Sequence, residues 1–509
     1  MNNSFSWKQD VPASLVVFFV ALPLCLGIAV VSDAPNVFAG LIAGIIGGIV
    51  VATLSGSRLG VSGPAAGLAV IVATAIGEIG YSAFLWAVVL AGVLQLASGF
   101  LRMGVIAYFF PNSVIKGMLS GIGLVIFIKE IPHALGQIKV AAGPELGFFE
   151  GIAYGPITIT VISLIILAIY ESKWVKSQAW SRIMPGPLLV VILGVALGVA
   201  FKGQSMLELL AGHHVNMPGS ESMEALLSGG QDFSSYTNKF FGQFQLVDVS
   251  VFKDTSLIYP IITTAFVLWI VASLETLLCV EATDKLDPEH FATPTNRELK
   301  AQGIGNIISG LIGGLPITQV IVRSSANIQS GGKSKYSAII HGFLLLICAF
   351  SIPQFLSMIP FASLAAILFL VGYKLAKPSL FIAMWKKGYV QFIPFIATIA
   401  GILFLDLLKG VSIGLVIAVF FIMWKQFKSP IVFDQVGGDS KKLQLHLTKH
   451  ATYLRKASLI KALNDLPEGS ALEIVYTGDG AIDNDIVDVF QDFQEEAIRK
   501  AITITNSTK

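Results

Sequence analysis

The sequence predicts an α-helical polytopic membrane protein that carries a small α/β domain at its C-terminus. Of its 509 residues, 54% are hydrophobic and 13% are charged, whereas charged residues make up about a quarter of an ordinary soluble domain. Disorder requires low hydrophobicity and high charge, and the formal net charge is +2. The composition therefore excludes a soluble globular protein and a disordered chain, and it gives no indication of a nucleic-acid partner.

The charged residues are unevenly distributed along the chain. After Ser429, 21 of 80 residues are charged, against 45 of the 429 residues up to that point. This break predicts a transmembrane domain over residues 1–429 and a cytoplasmic domain over residues 430–509.

A transmembrane helix needs about 20 predominantly apolar residues, and about fourteen segments of the first domain are candidates. Their predicted starts lie near residues 11, 35, 62, 83, 111, 155, 186, 257, 300, 317, 336, 358, 388 and 410. The polar stretch 203–254 separates seven spans from seven, which predicts an inverted repeat. If the N-terminus is inside, about 17 Lys and Arg residues lie in cytoplasmic connections and about six outside, so both termini are predicted to be cytoplasmic.

Two of the candidate spans are short, and they occupy matching places in the two halves. One follows Ser62-Gly63-Pro64 and the other follows Gly313-Gly-Leu-Pro316. Paired, Gly/Pro-interrupted spans indicate the binding site of a transporter near the middle of the membrane, because the N-terminus of a half-helix attracts anions. The substrate-binding candidates are Ser62, Gly63, Pro64, Ala65 and Ala66 in the first segment and Thr318, Gln319, Val320, Ile321 and Arg323 in the second.

Side chains in these segments have several possible roles. Thr318, Gln319 and Ser62 are able to donate hydrogen bonds to an anion, and Ser62 alternatively caps the first half-helix. Arg323 lies roughly 9 Å along the second half-helix, where it raises the positive potential, pairs with Glu275, or binds a carbonyl group. Gly40, Gly44 and Gly48 recur every four residues, which predicts close helix packing.

Glu275 lies in the middle of an apolar span, where a carboxylate is costly and is therefore a functional candidate. It could bind Na⁺ or hold a proton. Cys279, four residues later, lies on the same helix face, and the two residues form the predicted cation-coupling site. The three cysteines lack a metal-binding spacing, and no cofactor other than a coupling Na⁺ is expected.

Three stretches resemble the sulfate permease (SulP) family, closest to its bacterial bicarbonate-transporter branch: Ala21–Ala29, Gly56–Ala66 and Gly313–Lys333. The resemblance implies core and gate subdomains, a homodimer, and elevator-type alternating access in a bacterial inner membrane. Two positions depart from the pattern. Ala65 stands where many relatives have threonine. Cys279 stands where sodium-coupled relatives have threonine, and a thiol is a poor Na⁺ ligand, which leaves proton coupling open.

The polar tail alternates predicted strands with predicted helices, which indicates a small α/β domain. The strands are 443–447, 471–476 and 501–505, and the helices are 457–466 and 486–497. The segment Gly480–Val487 resembles a loop of the STAS domain that follows these transporters. Asn484-Asp485 replaces the serine-containing pair of many relatives, so the predicted role of this degenerate domain is dimerisation or anchoring.

The sequence therefore predicts a secondary active transporter of a small inorganic anion, most simply bicarbonate or sulfate, coupled to Na⁺ or H⁺. A nucleobase symporter of the same fold is an alternative, although no second intramembrane carboxylate suited to a nucleobase is evident. A passive anion channel is another alternative. No catalytic triad, carboxylate pair or Cys/His metal motif suggests an enzyme.

Overall fold

The computed structural model describes residues 6–105, 111–137, 151–172, 174–175, 178, 184–215, 244–405, 407–428, 433–435, 442–448, 456–477 and 484–508. The chain divides into two compact units, Met1–Met384 with Phe395–Ser412, and Trp385–Pro394 with Ile413–Lys509. The predicted domain boundary after residue 429 lies outside the described residues and stays a prediction.

The first unit is helical, and its helices follow the predicted spans. They are α1 Trp7–Val31, α2 Phe38–Ile46, a π-helical segment Gly47–Val51, α3 Ala52–Leu54, α4 Ala66–Ile79, α5 Tyr81–Phe100, α6 Asn112–Leu135, α7 Tyr154–Tyr170, α8 Gly186–Ala200, α9 Ile258–Leu286, α10 Thr295–Leu311, α11 Ile321–Gln329, α12 Tyr336–Ser351, α13 Pro353–Ser357, α14 Phe361–Leu375 and α15 Pro378–Lys386. Helices α16, Tyr389–Phe404, and α17, Leu407–Lys428, each have residues in both units, as does α15 at its last two residues.

A helix, or a short strand followed by a helix, begins within about five residues of every predicted span. Among the described residues, four helical stretches are long and apolar enough to cross a membrane: Trp7–Val31, Tyr81–Phe100, Thr255–Leu286 and Phe361–Lys386. That fourteen segments cross as an inverted repeat stays a prediction.

Two three-residue strands bring the two halves of the chain together. Strand β1, Ser62–Pro64, pairs antiparallel with β2, Ile317–Gln319, and Gly63 lies opposite Thr318. Helix α4 begins two residues after β1, and α11 begins two residues after β2. Neither N-terminus has a side-chain cap, so its first backbone N–H groups are available to other partners.

The glycines of the second span allow helices to pack closely, as predicted. A Cβ atom on Gly40 or Gly44 would meet Cys25 of α1, and one on Gly48 would lie 2.5 Å from the Cα atom of Gly342 in α12. The prediction of close packing at Gly40, Gly44 and Gly48 is confirmed.

The second unit includes a four-stranded sheet in the order β3-β4-β5-β6. The strands are β3 Asp434–Gln435, β4 Lys442–Thr448, β5 Ala471–Thr477 and β6 Thr503–Thr508, with helices α18 Lys456–Asn464 and α19 Asn484–Arg499. Strands β4, β5 and β6 are parallel, while β3 is antiparallel to β4. Buried Leu445, Leu459, Leu472 and Phe493 join sheet and helices in one core. The predicted strand and helix positions agree with these, and residues 480–483 of the proposed STAS loop lie outside the described residues.

Candidate functional site

The strand pair places the predicted substrate-binding residues of both segments side by side. Ser62, Thr318 and Gln319 are buried, and Ala65 immediately precedes α4. Ser62 lies opposite Gln319 in the pairing register, and side chains of directly opposed residues share one face of a sheet. The two half-helices therefore begin beside the same buried pair of strands. This pair, Ser62–Pro64 and Ile317–Gln319, together with the helix starts at Ala66 and Ile321, is called the strand crossing.

Helix α9 lies against both half-helix N-termini. The Glu275 carboxyl group accepts a hydrogen bond from the Gly67 N–H in the first turn of α4. One turn along α9, the Cys279 sulfur accepts from the Ile321 N–H at the start of α11. Residues four apart share a helix face, so the predicted pair Glu275 and Cys279 spans the two helix ends. The Glu275 Oε2 atom is buried and has no hydrogen-bond partner among the described residues.

Arg323 is fully buried and lies beside the strand crossing. Its Nη2 atom donates to the Cys25 sulfur at 3.4 Å, and a Cβ atom on Gly63 would collide with Nη1. The Nε and Nη1 atoms are buried without a hydrogen-bond partner among the described residues. The ion pair with Glu275, one of the three predicted roles, is absent from the described part of the chain. A buried cation without a counter-charge is costly, which makes this position suited to an anion.

The three predicted hydrogen-bond donors differ in which of their side-chain atoms already have hydrogen-bond partners in the fold. Ser62 does not cap α4, because Ala65 occupies the cap position; the Ser62 Oγ atom instead accepts from Gln302 Nε2 at 2.7 Å. Gln319 turns its Nε2 toward Thr283 Oγ1 at 3.0 Å and leaves Oε1 buried without a partner. Thr318 is fully buried, with its Oγ1 atom 3.4 Å from the Gln319 carbonyl oxygen.

A polar stripe on α10, missed in the sequence, supports the strand crossing. Glu298, Gln302 and Asn306 recur every four residues and are all buried. Asn306 Oδ1 accepts from the Ile317 N–H at 2.6 Å, and its Nδ2 donates to the Ile317 carbonyl oxygen at 3.1 Å. The stripe therefore binds β2 through Asn306 and β1 through Gln302. Its four-residue period would have revealed it, but the predicted span began at residue 300 and left Glu298 outside.

Carboxylates other than Glu275 lie buried among these helices. Glu298 is fully buried, and Glu130 on α6 is 1% exposed. The prediction concerned a second carboxylate suited to a nucleobase, and it stays a prediction. Glu298 does not suit a nucleobase, because it already accepts hydrogen bonds from Ser55, Gln302 and the N–H groups of Gly56 and Ser57.

Comparison with known proteins decides the family. Residues 7–398 match the sulfate permease family. The chain belongs to the sulfate permease family. Among its relatives, the putative sulfate transporter YvdB of Bacillus subtilis is 27% identical over 85% of this chain and 77% of that protein. The bicarbonate transporter BicA of Synechocystis sp. is 26% identical over 81% of this chain and 69% of that protein.

Solved structures show the same helical membrane transporter fold. The transmembrane domain of a cyanobacterial bicarbonate transporter, BicA, aligns with a TM-score of 0.64 and 23% identity, covering 81% of this chain and 96% of that one. The overall structure of SLC26A9 aligns with a TM-score of 0.75 and 15% identity, covering 98% and 83%. At these identities the likeness concerns the fold.

The strand crossing of this sulfate permease family member offers limited ligands for a coupling cation. No group of three or more His, Cys, Asp or Glu side chains able to hold a metal occurs in the described ranges. Na⁺ prefers oxygen ligands, and Glu275 supplies a carboxylate, whereas Cys279 supplies sulfur. Of the predicted pair, only Glu275 therefore supplies the type of ligand that Na⁺ prefers.

Proposed function

We propose that this protein is a secondary active transporter of small inorganic anions, bicarbonate or sulfate. The observation that carries the proposal is Arg323, a fully buried guanidinium group whose Nε and Nη1 atoms have no hydrogen-bond partner in the described structure. Guanidinium groups bind oxyanions through parallel N–H donors, and this one lies where two half-helices begin.

The anion would bind at the strand crossing, between the N-termini of α4 and α11. Helix N-termini carry backbone N–H groups and a partial positive charge, and here the N–H groups of Gly67 and Ile321 bond to Glu275 and Cys279. Together with Arg323, they supply a positive site within an apolar environment and without a lysine. A dehydrated anion needs such donors because unpaired charge is costly in the membrane interior.

Glu275 would couple anion binding to a cation. Its carboxyl group accepts a hydrogen bond from the Gly67 N–H of α4. An ionised Glu275 therefore competes with the anion for that helix end, and its negative charge repels the anion. A proton or Na⁺ on Glu275 removes the negative charge and favours the anion. The two ligands would therefore bind and move together, as in a symporter.

The remaining parts of the proposal concern the whole protein. The half-helices would move as one body in an elevator-type cycle, and the protein would act as a homodimer in a bacterial inner membrane with both termini in the cytoplasm. The C-terminal unit would serve as a STAS-like dimerisation or anchoring domain. The family membership and the fold likeness to transporters support these statements.

Purified protein in proteoliposomes provides the test. Uptake of labelled bicarbonate would be followed at fixed pH, with and without an inward Na⁺ gradient, and with excess sulfate as competitor. Stimulation by Na⁺ that resists sulfate would identify a sodium-coupled bicarbonate transporter. Uptake of sulfate driven by an inward proton gradient would identify proton coupling through Glu275. Absence of saturable uptake of either anion would refute the proposal, as would ion currents above carrier rates or stabilisation by uracil alone.

A further inference from the structure

Three buried polar residues form a chain that ends at the strand crossing. Gln302 Nε2 donates to Glu298 Oε1 at 3.0 Å and to Ser62 Oγ at 2.7 Å. Glu298 is held in turn by the Ser55 hydroxyl and by the backbone N–H groups of Gly56 and Ser57. Glu298 and Gln302 are fully buried, and Ser62 is 4% exposed.

The orientation of the Gln302 amide, with Nε2 toward Glu298 and Ser62, sets the donor and acceptor roles along this chain, and it leaves Gln302 Oε1 buried without a partner among the described residues. An amide nitrogen has two hydrogens and no acceptor capacity, and an ionised carboxylate only accepts. The two hydrogen bonds of Gln302 Nε2 therefore use both of its hydrogens, and Ser62 Oγ is an acceptor toward Gln302. The Ser62 hydroxyl hydrogen is left to donate elsewhere, and the described residues include no acceptor for it.

We propose that Glu298 and Gln302 form a relay that sets Ser62 as a hydrogen-bond donor to the transported anion. The inference rests on the proposed function and adds to it a determinant of specificity. A free serine hydroxyl can donate or accept. Gln302 occupies one of the two lone pairs of this hydroxyl and leaves its hydrogen to donate, so the hydroxyl favours an unprotonated oxyanion oxygen over a ligand that presents an O–H or N–H there. Gln302 is a positioning residue, since it acts on the anion through Ser62.

One face of helix α10 holds the relay in a fixed position relative to both strands. Glu298 and Gln302 lie four residues apart on α10, so their side chains meet on one helix face. Asn306, a further turn along, holds Ile317 of β2. The same helix face thus fixes the strand that carries Ser62 and the strand opposite it. The hydroxyl is presented to the crossing from a rigid support, as orientation-dependent recognition requires.

A double-mutant cycle on uptake kinetics tests the relay in the full-length protein. Gln302→Met keeps the side-chain length and removes the amide, and Ser62→Ala removes the hydroxyl. Each single variant is expected to raise KM for labelled anion about fivefold, the size of one net hydrogen bond, with kcat less affected. In the Ser62→Ala background, Gln302→Met should raise KM no further.

Ser98→Ala is the matched control. Ser98 is also 4% exposed and its Oγ atom accepts one hydrogen bond, from Trp269 Nε1 at 2.8 Å, but it lies on α5 away from both strands. Ser98→Ala should lower the melting temperature about as much as Ser62→Ala does, and it should leave KM unchanged. The relay would be overturned if KM of the double variant rose by the product of the two single effects. It would also be overturned if KM were unchanged in both single variants.

A second measurement keeps the test valid if a variant transports poorly. The rise in melting temperature with added bicarbonate or sulfate reports binding without transport, and it should shrink equally in Gln302→Met, Ser62→Ala and the double variant. If the wild type binds and transports neither anion, the proposed function fails. If the wild type transports while the cycle is multiplicative, the relay alone fails.

Discussion

A guanidinium group that no described protein atom neutralises is the central residue-scale feature of this transporter. Among the described residues, the Arg323 side chain hydrogen-bonds only to the weak acceptor Cys25 Sγ. Arg323→Gln should therefore raise KM for the anion at least about tenfold, as loss of a charge-assisted bond does. Uptake kinetics in proteoliposomes measure this. Arg58→Gln is the matched control: its ion pairs with Asp287 and Glu289 lie outside the crossing, and KM should not change. A normal KM in Arg323→Gln would remove the basis of the proposed site.

The coupling role proposed for Glu275 is tested at the same scale. Glu275→Gln keeps the shape and a hydrogen-bond acceptor for Gly67 but removes the charge that a cation neutralises. We expect uptake to persist without stimulation by Na⁺ or proton gradients, with the melting temperature close to that of the wild type. Gradient-driven uptake and pH profiles check this. Glu281→Gln, on the exposed part of α9 and paired with Lys285, should keep full stimulation, and retained stimulation in Glu275→Gln would end the coupling proposal.

Single residues were predictable from the sequence where a charge interrupts an apolar run. Glu275 and Arg323 stand out for that reason, and the structure places both at the half-helix ends. Gln302 and Asn306 carry no charge, so only their four-residue spacing with Glu298 marked them in the sequence. The partner of a hydrogen bond, such as the one that the Gln319 amide donates to Thr283, depends on residues distant in the chain. It could therefore not be predicted from the local sequence.

At the scale of elements, Gly-Pro pairs revealed the two half-helices, whereas the strand pairing between them was not foreseen. Three-residue strands are too short to show the alternation that identifies a β-strand. Their partners lie about 255 residues apart in the chain, and such pairing is decided by the packing of the helices around them. The close helix contacts were predictable because small residues at four-residue spacing mark them.

Gly48 provides the element-scale prediction. A Cβ atom there would lie 2.5 Å from the Gly342 Cα atom, so Gly48→Ala must separate two helices and should cost about 1–3 kcal/mol. Gly77→Ala is the matched control, since a Cβ at Gly77 meets nothing within 4 Å, and a helical alanine should stabilise by up to about 1 kcal/mol. Melting curves in detergent measure both. Equal melting temperatures of the two variants would contradict the observed packing.

At the scale of the whole molecule, the composition break predicted a separate polar tail, and the tail indeed has its own core of leucine, isoleucine and phenylalanine side chains. The crossing residues Ser62, Glu275 and Arg323 all belong to the first unit. The proposed anion site therefore lies within that unit, and the proposal leaves assembly to the tail. The sequence separated these roles because burial and charge differ so strongly between membrane helices and a water-exposed sheet.

Truncation after Lys428 tests this division of roles. Because every residue of the strand crossing is retained, KM for the anion should stay within about twofold of the wild type, whereas a tail that mediates dimerisation would leave a monomer on light scattering. Leu472→Asp in the full-length chain places a charge in the tail core, where Leu472 is fully buried, and unpaired buried charge unfolds small domains. That variant should reproduce the truncated protein. If the protein remains a dimer after the truncation and in Leu472→Asp, dimerisation belongs to the first unit. A large rise in KM in either protein would show that the tail contributes to the anion site.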